Sequence, residues 1–177
     1  MGAVLISCAA CNGPETGGLF ELRRVDAAWD NGHVTVAYEQ RLQLSSEARN
    51  ALVHGVPLTI EVEVIMRDTS NQNRVGSNTA FYEIRYLPLS EFYLVSGLQD
   101  DEVRTFPRLR HALAELATLE LSFDTGALPA GQYELLARSR LDKSRMPPPM
   151  RLPALFSGQW EHDSAWTSWP VLIDTGS

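Results

Sequence analysis

Apolar and polar residues alternate with a period of two in the first third of the chain. Between residues 34 and 44 the apolar positions fall on one side of the alternation, and polar residues fill most of the other. This period predicts a strand with one buried face. Asn31 and Gly32 precede it and accept positive φ, so residues 20–29 and this strand are predicted to form a β-hairpin. The residues predicted to face the core are Val34, Val36, Tyr38, Leu42 and Leu44.

The same alternation predicts further strands along the rest of the chain. They cover residues 58–66, 80–87, 92–98, 118–123 and 133–141, and the segments 152–156 and 159–171 finish the chain. A short helix is predicted over 45–55, capped by Ser45 and stopped by Gly55, and a clear helix over 105–118. Residues 68–77 are predicted to form a loop, and the prolines of 146–150 an extended polyproline segment.

Many strands with turns between them and only two helices are typical of a mainly β protein. We predict an antiparallel, immunoglobulin-like β-sandwich with one or two short crossover helices. Residues 1–18 are predicted to be an apolar, lipobox-like N-terminus and flexible linker, residues 19–172 a single sandwich domain, and residues 173–177 a tail. A chain of 177 residues is long enough for a core that needs no disulfide or metal.

The charge of the chain argues against two classes of partner, nucleic acid and anionic membranes. The formal net charge is −7 and the isoelectric point is about 5.1. Lys143 is the only lysine, and the arginines are scattered. Nucleic acid and anionic membrane surfaces both attract clustered cations, so neither is an expected partner. No run of apolar residues reaches the length of a membrane-spanning helix.

The N-terminus carries the one signal about location. Leu5-Ile6-Ser7-Cys8 has the form of a bacterial lipobox, which makes Cys8 the candidate lipidation site. Seven residues precede Cys8 and none is basic, so a full export signal does not fit before it. Either the true start lies further upstream, or this is an ordinary short apolar N-terminus. The predicted location is periplasmic or a membrane-anchored lipoprotein, and cytoplasmic if the N-terminus is complete as given.

Several short motifs resemble catalytic or metal sites, and each has a simpler structural interpretation. Cys8 and Cys11 lack the helix start that a redox pair needs, and two ligands are too few for zinc. The His-Asp-Ser run at 162–164 holds hydrolase residue types, but neighbours along a strand point to opposite faces. The Asp-Thr-Gly runs at 124–126 and 174–176, and the acidic run at 100–102, lack the surroundings of a protease dyad or a calcium loop. We predict a non-enzymatic protein without a cofactor or metal.

Three tryptophans within ten residues are the best candidates for a binding surface. Trp160, Trp166 and Trp169 are the candidate protein-binding residues, because tryptophan is enriched at interface hot spots. The alternative is that they close the open end of the sandwich core. Trp160 and Trp166 share strand parity, which favours the core for both. Trp169 has the opposite parity, and both interpretations stay open for it.

The second half of the chain contains a set of specific motifs. They are Tyr133-x-x-x-x-Arg138-x-x-Leu141-Asp142, Arg145-Met146-Pro147-x-Pro149 and Trp160-x-x-x-Ser164-x-Trp166-x-x-Trp169. Earlier motifs accompany them: Gly55-Val56-Pro57-Leu58, Arg85-Tyr86-x-x-Leu89 and Phe106-Pro-Arg-Leu-Arg-His-Ala-Leu113. Together they resemble the proteobacterial family called domain of unknown function 4390, over roughly residues 20–171.

The resemblance implies a small envelope protein with an export signal, whose gene often neighbours a sensor kinase of the nitrogen-regulation type. It supplies no catalytic residues, and this chain departs from it in lacking a full export signal. We expect a non-enzymatic protein-binding module of the cell envelope, with an accessory role in an envelope signalling system. The alternative is a β-sandwich that holds a small ligand or peptide. The first predicts an exposed apolar patch, and the second an enclosed pocket of roughly 300 Å³ or more.

Overall fold

The structure is a computed structural model that describes residues 17–99 and 102–174. Within these two ranges the chain is mainly β and antiparallel with a few short helices, as the alternation predicted. The strands are β1 Leu19–Asp30, β2 His33–Gln43, β3 Leu58–Asp68, β4 Arg74–Leu87, β5 Phe92–Gly97, β6 Val103–Phe106, β7 Thr118–Asp124, β8 Gly131–Leu141 and β9 Thr167–Ile173. The helices are α1 Ser46–Val53, α2 Leu109–Glu115 and α3 Pro148–Phe156. Among the described residues, no helix is long and apolar enough to cross a membrane.

The strands form two antiparallel sheets with one hydrophobic core between them. The smaller sheet has the order β1-β2-β7, and the larger has the order β6-β5-β4-β3-β8-β9. β7 contacts β4, and β1 contacts β8 and β9, so the small sheet covers the middle and one side of the large sheet. The core residues are almost fully buried and come from both sheets; they include Val34, Val36, Tyr38, Leu121, Ile60, Val62, Val64, Ile84 and Leu135.

The predicted N-terminal hairpin is present. β1 and β2 pair from Leu19 with Gln43 to Asp30 with His33. Asn31 and Gly32 form the turn with φ values of 50° and 89°, a conformation that Asn-Gly accepts with little strain. The alternation therefore placed the correct face of β2 in the core. A bulge between Leu22 and Arg24 interrupts the pairing, which protects this edge strand against further strand addition.

The helix over 45–55 is also confirmed as α1. The Ser45 side chain accepts a hydrogen bond from the Ala48 amide, and the helix is followed by Gly55 at φ +88°. The second predicted helix is shorter than expected. Residues 103–106 form strand β6 beside β5, because the residue before Pro107 is disfavoured in helical geometry. Only Leu109–Glu115 is helical, and Ala112 is its buried residue.

The loop predicted over 68–77 is much shorter in the structure. β4 begins at Arg74, and its first residues pair with β3 as far as Arg67. This part of β4 lacks a clear apolar alternation because it crosses beneath the small sheet. A Cβ atom on Gly76 would lie 2.7 Å from the ring of Phe123, so the close approach of the sheets requires glycine there. Backbone pairing with β3 holds the segment in place.

The polyproline prediction for 146–150 is wrong from Pro148 onward. Pro148 and Pro149 occupy the first two positions of α3, where a helix needs no amide hydrogen. The residues after them include good helix formers, and the helix continues to Phe156. Met146 before the helix and Ala154 within it are buried in the core, which fixes α3 against the end of the sandwich.

The three helices and two short 3-10 turns, Lys143–Arg145 and Gly158–Trp160, cover one end of the sandwich. We call this end the closed end. The N-terminal strand enters the fold at this end. Gly18 lies directly against the ring of His162, and a Cβ atom on Gly18 would overlap with that ring. Phe20 packs edge-on against the same ring, with centroids 5.3 Å apart. The opposite end holds the hairpin turn at Gly32 and the C-terminal strand, which runs to a buried Ile173, one residue beyond the predicted domain boundary.

Gly18→Ala is expected to lower the free energy of unfolding by about 1–3 kcal/mol, because the added methyl group must displace a buried ring. Gly17→Ala is the matched control, since nothing lies within 4 Å of a Cβ atom there. Urea denaturation of the two full-length variants measures the difference. Equal stabilities would mean that the His162 ring is free to move aside.

Candidate functional site

The outer face of the larger sheet, which points away from the core, carries the most distinctive side chains. At its β8–β9 side, four apolar residues follow the edge strand: Leu136, Trp166, Pro170 and Leu172. We call these four residues the β9 strip. Leu172 is 66% exposed and Trp166 is 40% exposed. β9 pairs with β8 from Thr167 to Ile173, so its even-numbered residues share this outer face.

The three candidate tryptophans lie in three different environments. Trp160 is 1% exposed and closes the end of the core. Trp169 lies on the inner side of β9, partly buried against the core. Trp166 lies on the outer face, so the parity argument that placed it in the core beside Trp160 is wrong. Trp160 belongs to a 3-10 turn, and Ala165 adopts a left-handed φ of 57° between the two residues, so no continuous strand carries the parity from one to the other.

Trp166 is held in place by a charged neighbour. The guanidinium carbon of Arg138 lies 4.6 Å from the centroid of the Trp166 ring, within the range of a cation–π contact. Arg138 also donates a hydrogen bond of 3.2 Å to the carboxylate of Glu63 on β3. The carboxylate orients the guanidinium, and the guanidinium in turn supports one face of the indole.

A second ion pair lies one step along the same strands. Arg140 donates two hydrogen bonds to Glu61, at 2.8 Å and 3.1 Å, and the Glu61 side chain is only 8% exposed. Hydrogen bonding to Glu61 raises the pKa of the Arg140 guanidinium above its ordinary value. Arg145 extends the network, because its guanidinium lies 4.3 Å from the ring centroid of Phe81. The outer face is therefore an ordered surface of paired charges and aromatic rings.

Residues from separate sequence motifs meet at this face. Arg138 and Trp166 come from different motifs and form one contact. Asp142 and Arg145 form an ion pair of 3.1 Å. Ser164 accepts a hydrogen bond of 2.9 Å from the Ser139 amide, which ties the segment before β9 to β8. The motifs of the second half of the chain thus fix how β9 and its preceding segment lie on the sheet.

The sequence analysis did not identify four residues of this face: the carboxylates Glu61 and Glu63, and Pro170 and Leu172 at the end of the β9 strip. Glu61 and Glu63 looked like solvent-facing residues of a half-buried strand, because the sequence does not say that β3 is central and covered on its outer face. Pro170 and Leu172 were not singled out, although they continue the two-residue period from Trp166. This period was the signal in the sequence that could have placed Pro170 and Leu172 on the same face as Trp166.

The His-Asp-Ser run does not form a catalytic group in the structure. His162 is buried, and its Nε2 accepts a hydrogen bond of 3.0 Å from the Ser45 amide. Asp163 accepts from the Ala165 amide, and Ser164 donates to the Ala165 carbonyl oxygen. Burial lowers the pKa of His162 below its ordinary value; the backbone of Trp160 opposes this shift, and the charge of Lys143 adds to it. A neutral imidazole here links α1 to the closed end of the sandwich.

The other motifs that resembled catalytic or metal sites are the Asp-Thr-Gly runs, the acidic run and the two cysteines. Within the first Asp-Thr-Gly run, the Thr125 hydroxyl accepts a hydrogen bond from the Trp29 indole. Thr175 and Gly176 of the second run lie outside the described residues, as do Asp100, Asp101, the lipidation candidate Cys8, and Cys11. In the described part of the chain, no group of three or more His, Cys, Asp or Glu side chains is arranged to hold a metal ion.

Two surface grooves accompany these features. One of about 670 Å³ lies beside the β9 strip and is lined by Pro170, Leu172, Tyr133 and the loop residues Thr69 and Gln72, among others. The other, of about 530 Å³, lies at the closed end of the sandwich, where Leu155 of α3, Lys143 and His162 line it with neighbouring polar residues.

Arg140→Met is expected to destabilise the fold by roughly 2–3 kcal/mol, because Glu61 would remain buried without its partner. The double variant Glu61→Met/Arg140→Met should recover most of that loss. Arg24→Met is the control, since its pair with Asp26 is exposed on both sides and should contribute less than about 1 kcal/mol. Chemical denaturation measures all three, and equal effects of the two single arginine variants would contradict the prediction.

Stability is expected to fall as the pH drops below about 6.5, the ordinary pKa of histidine. The unfolded chain then binds a proton that buried His162 resists, so the unfolding free energy decreases by up to about 1.4 kcal/mol per pH unit until the folded-state pKa is passed. Thermal or urea unfolding between pH 8 and pH 5 measures this slope. His162→Gln should flatten it relative to the parent chain. An unaltered slope in His162→Gln would contradict the assignment.

Comparison with known proteins places the chain in a family. A family model described as Domain of unknown function (DUF4390) matches residues 19–170. This range agrees with residues 20–171, over which the motifs showed the resemblance. Comparisons with curated proteins and with solved structures found no match. The family match covers most of the chain, and the protein therefore belongs to the DUF4390 family, a domain of unknown function.

Proposed function

We propose that this protein is a non-enzymatic protein of the cell envelope that binds another protein through the β9 strip. The observation that carries the proposal is the position of Trp166, which is 40% exposed on the outer face and stacked on Arg138. Tryptophan and arginine are among the residue types enriched at interface hot spots. Because Glu63 and Arg138 hold the indole in one orientation, little conformational entropy is lost when a partner packs against it.

The strip favours a partner with a neutral, apolar contact surface. Arg138 is already paired with Glu63, so it does not require a carboxylate from the partner. Pro170 lacks an amide hydrogen and pairs with Glu134, so the missing donor faces the free edge of β9. A partner that added a strand there would meet a gap in the ladder. Side-chain packing on Trp166 and Leu172 is the expected mode, with little dependence on salt.

The alternative function, a sandwich that encloses a small ligand or peptide, has less support. The space between the sheets is filled by side chains with no exposed surface, among them Val36, Ile60, Val62, Val64 and Leu135. The groove of about 670 Å³ beside Leu172 lies on the outer surface, where it suits a side chain of the partner. The immunoglobulin-like arrangement remains part of the proposal, supported by two antiparallel sheets around one core.

The envelope location is supported by the lipobox-like run before Cys8 and by the motifs that resemble exported proteins. We propose that Cys8 carries the lipid. Intact-mass measurement on protein expressed with its upstream coding region tests this directly. A diacylglyceryl mass on Cys8 is the expected result, and an unmodified Met1 in the mature protein would overturn the tether.

Leu172→Glu and Trp166→Ala are each expected to weaken partner binding by at least about tenfold, because each removes a centre of apolar contact. A photo-crosslinking residue at position 172 in cells first captures the partner, and purified protein then gives the dissociation constants. Val103→Glu is the matched control, since Val103 is 56% exposed on β6 at the opposite edge of the same sheet.

The control variant should bind within about twofold of the parent chain, and the affinity should change little between 0.1 M and 0.5 M salt. Equal weakening by Val103→Glu would remove the strip from the proposal. So would capture of the same protein from a crosslinker at position 103. Urea denaturation of each variant separates loss of binding from loss of folding.

A further inference from the structure

Helix α3 directs three of its large apolar side chains toward solvent, while Met150 near its start packs partly against the core. Leu152 is 66% exposed, Leu155 is 59% exposed and Phe156 is 87% exposed, whereas Ala154 is fully buried. A helix that packs on a core normally buries its large apolar residues and exposes its small or polar ones. We call Leu152, Leu155 and Phe156 the α3 foot. Burial of Met146 and Ala154 fixes the helix to the core, so the foot projects from a rigid support.

The foot lies at the end of the sandwich where β1 enters the fold. Leu155 and His162 line the same groove, and Gly18 lies against the His162 ring. The described chain therefore begins beside α3. The β9 strip extends away from this end. Leu172 pairs with Gln132 near the start of β8, whereas the amide of Leu141 at the end of β8 donates a hydrogen bond to the His162 carbonyl oxygen.

Exposed apolar residues are concentrated at this end of the molecule. β1 begins here at Leu19, α1 ends here at Val53, and β4 turns into β5 here between Leu87 and Phe92. Of the eleven large apolar side chains that are exposed in the described residues, seven belong to this end. They are Leu19, Val53, Leu89, Phe92, Leu152, Leu155 and Phe156. They come from several separate elements and do not form one groove, which suits a fluid occupant better than a single shaped ligand.

The charges around the foot are balanced. Arg151 is exposed on α3, and Lys143 lies at the adjoining groove. Glu161 and Asp163 line the same groove and offset them. The site therefore lacks the excess of cations that would attract it to anionic lipid headgroups. Insertion of apolar side chains is the remaining source of affinity for a membrane.

We infer that this end of the molecule rests on a lipid surface, with the α3 foot inserted at the interface between headgroups and acyl chains. A helix of nine residues is too short to span the bilayer, so it lies along the surface. The described chain begins at this end, with Gly18 against His162, and the nine residue steps from Cys8 to Gly17 span at most about 30 Å. A lipid on Cys8 would hold the foot within reach of the membrane, but the inference does not depend on that modification or on the β9 strip.

The test uses the full chain and large unilamellar vesicles of phosphatidylcholine, with and without 30% phosphatidylglycerol. The variant Leu152→Ser/Leu155→Ser/Phe156→Ser removes the foot, and Leu98→Ser/Val103→Ser is the control because both residues are exposed away from this end. The foot variant is expected to lower the vesicle partition coefficient by at least tenfold. The control is expected to stay within twofold of the parent chain, and the anionic lipid to change partitioning by less than threefold.

A fluorescent reporter checks insertion directly. An environment-sensitive dye is attached at Phe156→Cys, or at Val103→Cys as the control, in a Cys8→Ser/Cys11→Ser chain. A blue shift on vesicle addition at position 156 alone is the expected result. Unchanged partitioning of the foot variant would overturn the inference, as would partitioning that requires phosphatidylglycerol.

The other occupants of the foot are outcomes of the same measurement. A blue shift without vesicles that grows with protein concentration would mean that a second copy covers the foot. A shift without vesicles that does not depend on concentration would mean that residues 1–16 cover it. Either result overturns the lipid assignment. Binding of the protein partner to the β9 strip is measured separately, so failure of one proposal leaves the other standing.

Discussion

Strand β3 is the constraint on which the larger sheet depends, because it is buried on both of its faces. Its inner side chains enter the core, while Glu61 and Glu63 on the outer face are carboxylates in a poorly hydrated position. Arg140 and Arg138 on β8 pair with them across the strands. A slip of one residue between β3 and β8 would turn these carboxylates inward, so the ion pairs and the apolar alternation specify the same register.

This register also decides what the outer face presents. Because Arg138 is directed toward Glu63, its guanidinium offers a flat support, and Trp166 stacks on it. The bond from the Ser139 amide to Ser164 brings the preceding segment into place, and β9 then continues along β8 to Leu172. The fixed orientation of the exposed Trp166 side chain thus depends on the charged residues of the central strand β3.

The sequence was most informative where one local signal agreed with the tertiary structure. Asn31-Gly32 and the alternation of β2 predicted the hairpin, and Ser45 predicted the start of α1. It was least informative where a tertiary contact overrode local pattern, as in β4 before residue 80 and in α3. The candidate site could be predicted only in part. The sequence indicated Trp166 as a binding residue, but not its outward direction. That direction depends on the left-handed backbone at Ala165, which an alanine does not signal.

The described chain begins and ends at opposite ends of the sandwich. Gly18 lies beside His162 at the closed end, whereas Ile173 pairs with Gly131 at the far end of β8. A strand of eleven residues spans about 35 Å, so the domain is a rigid spacer of roughly that height. A contact made at the closed end therefore lies roughly one strand length away from the end of β9.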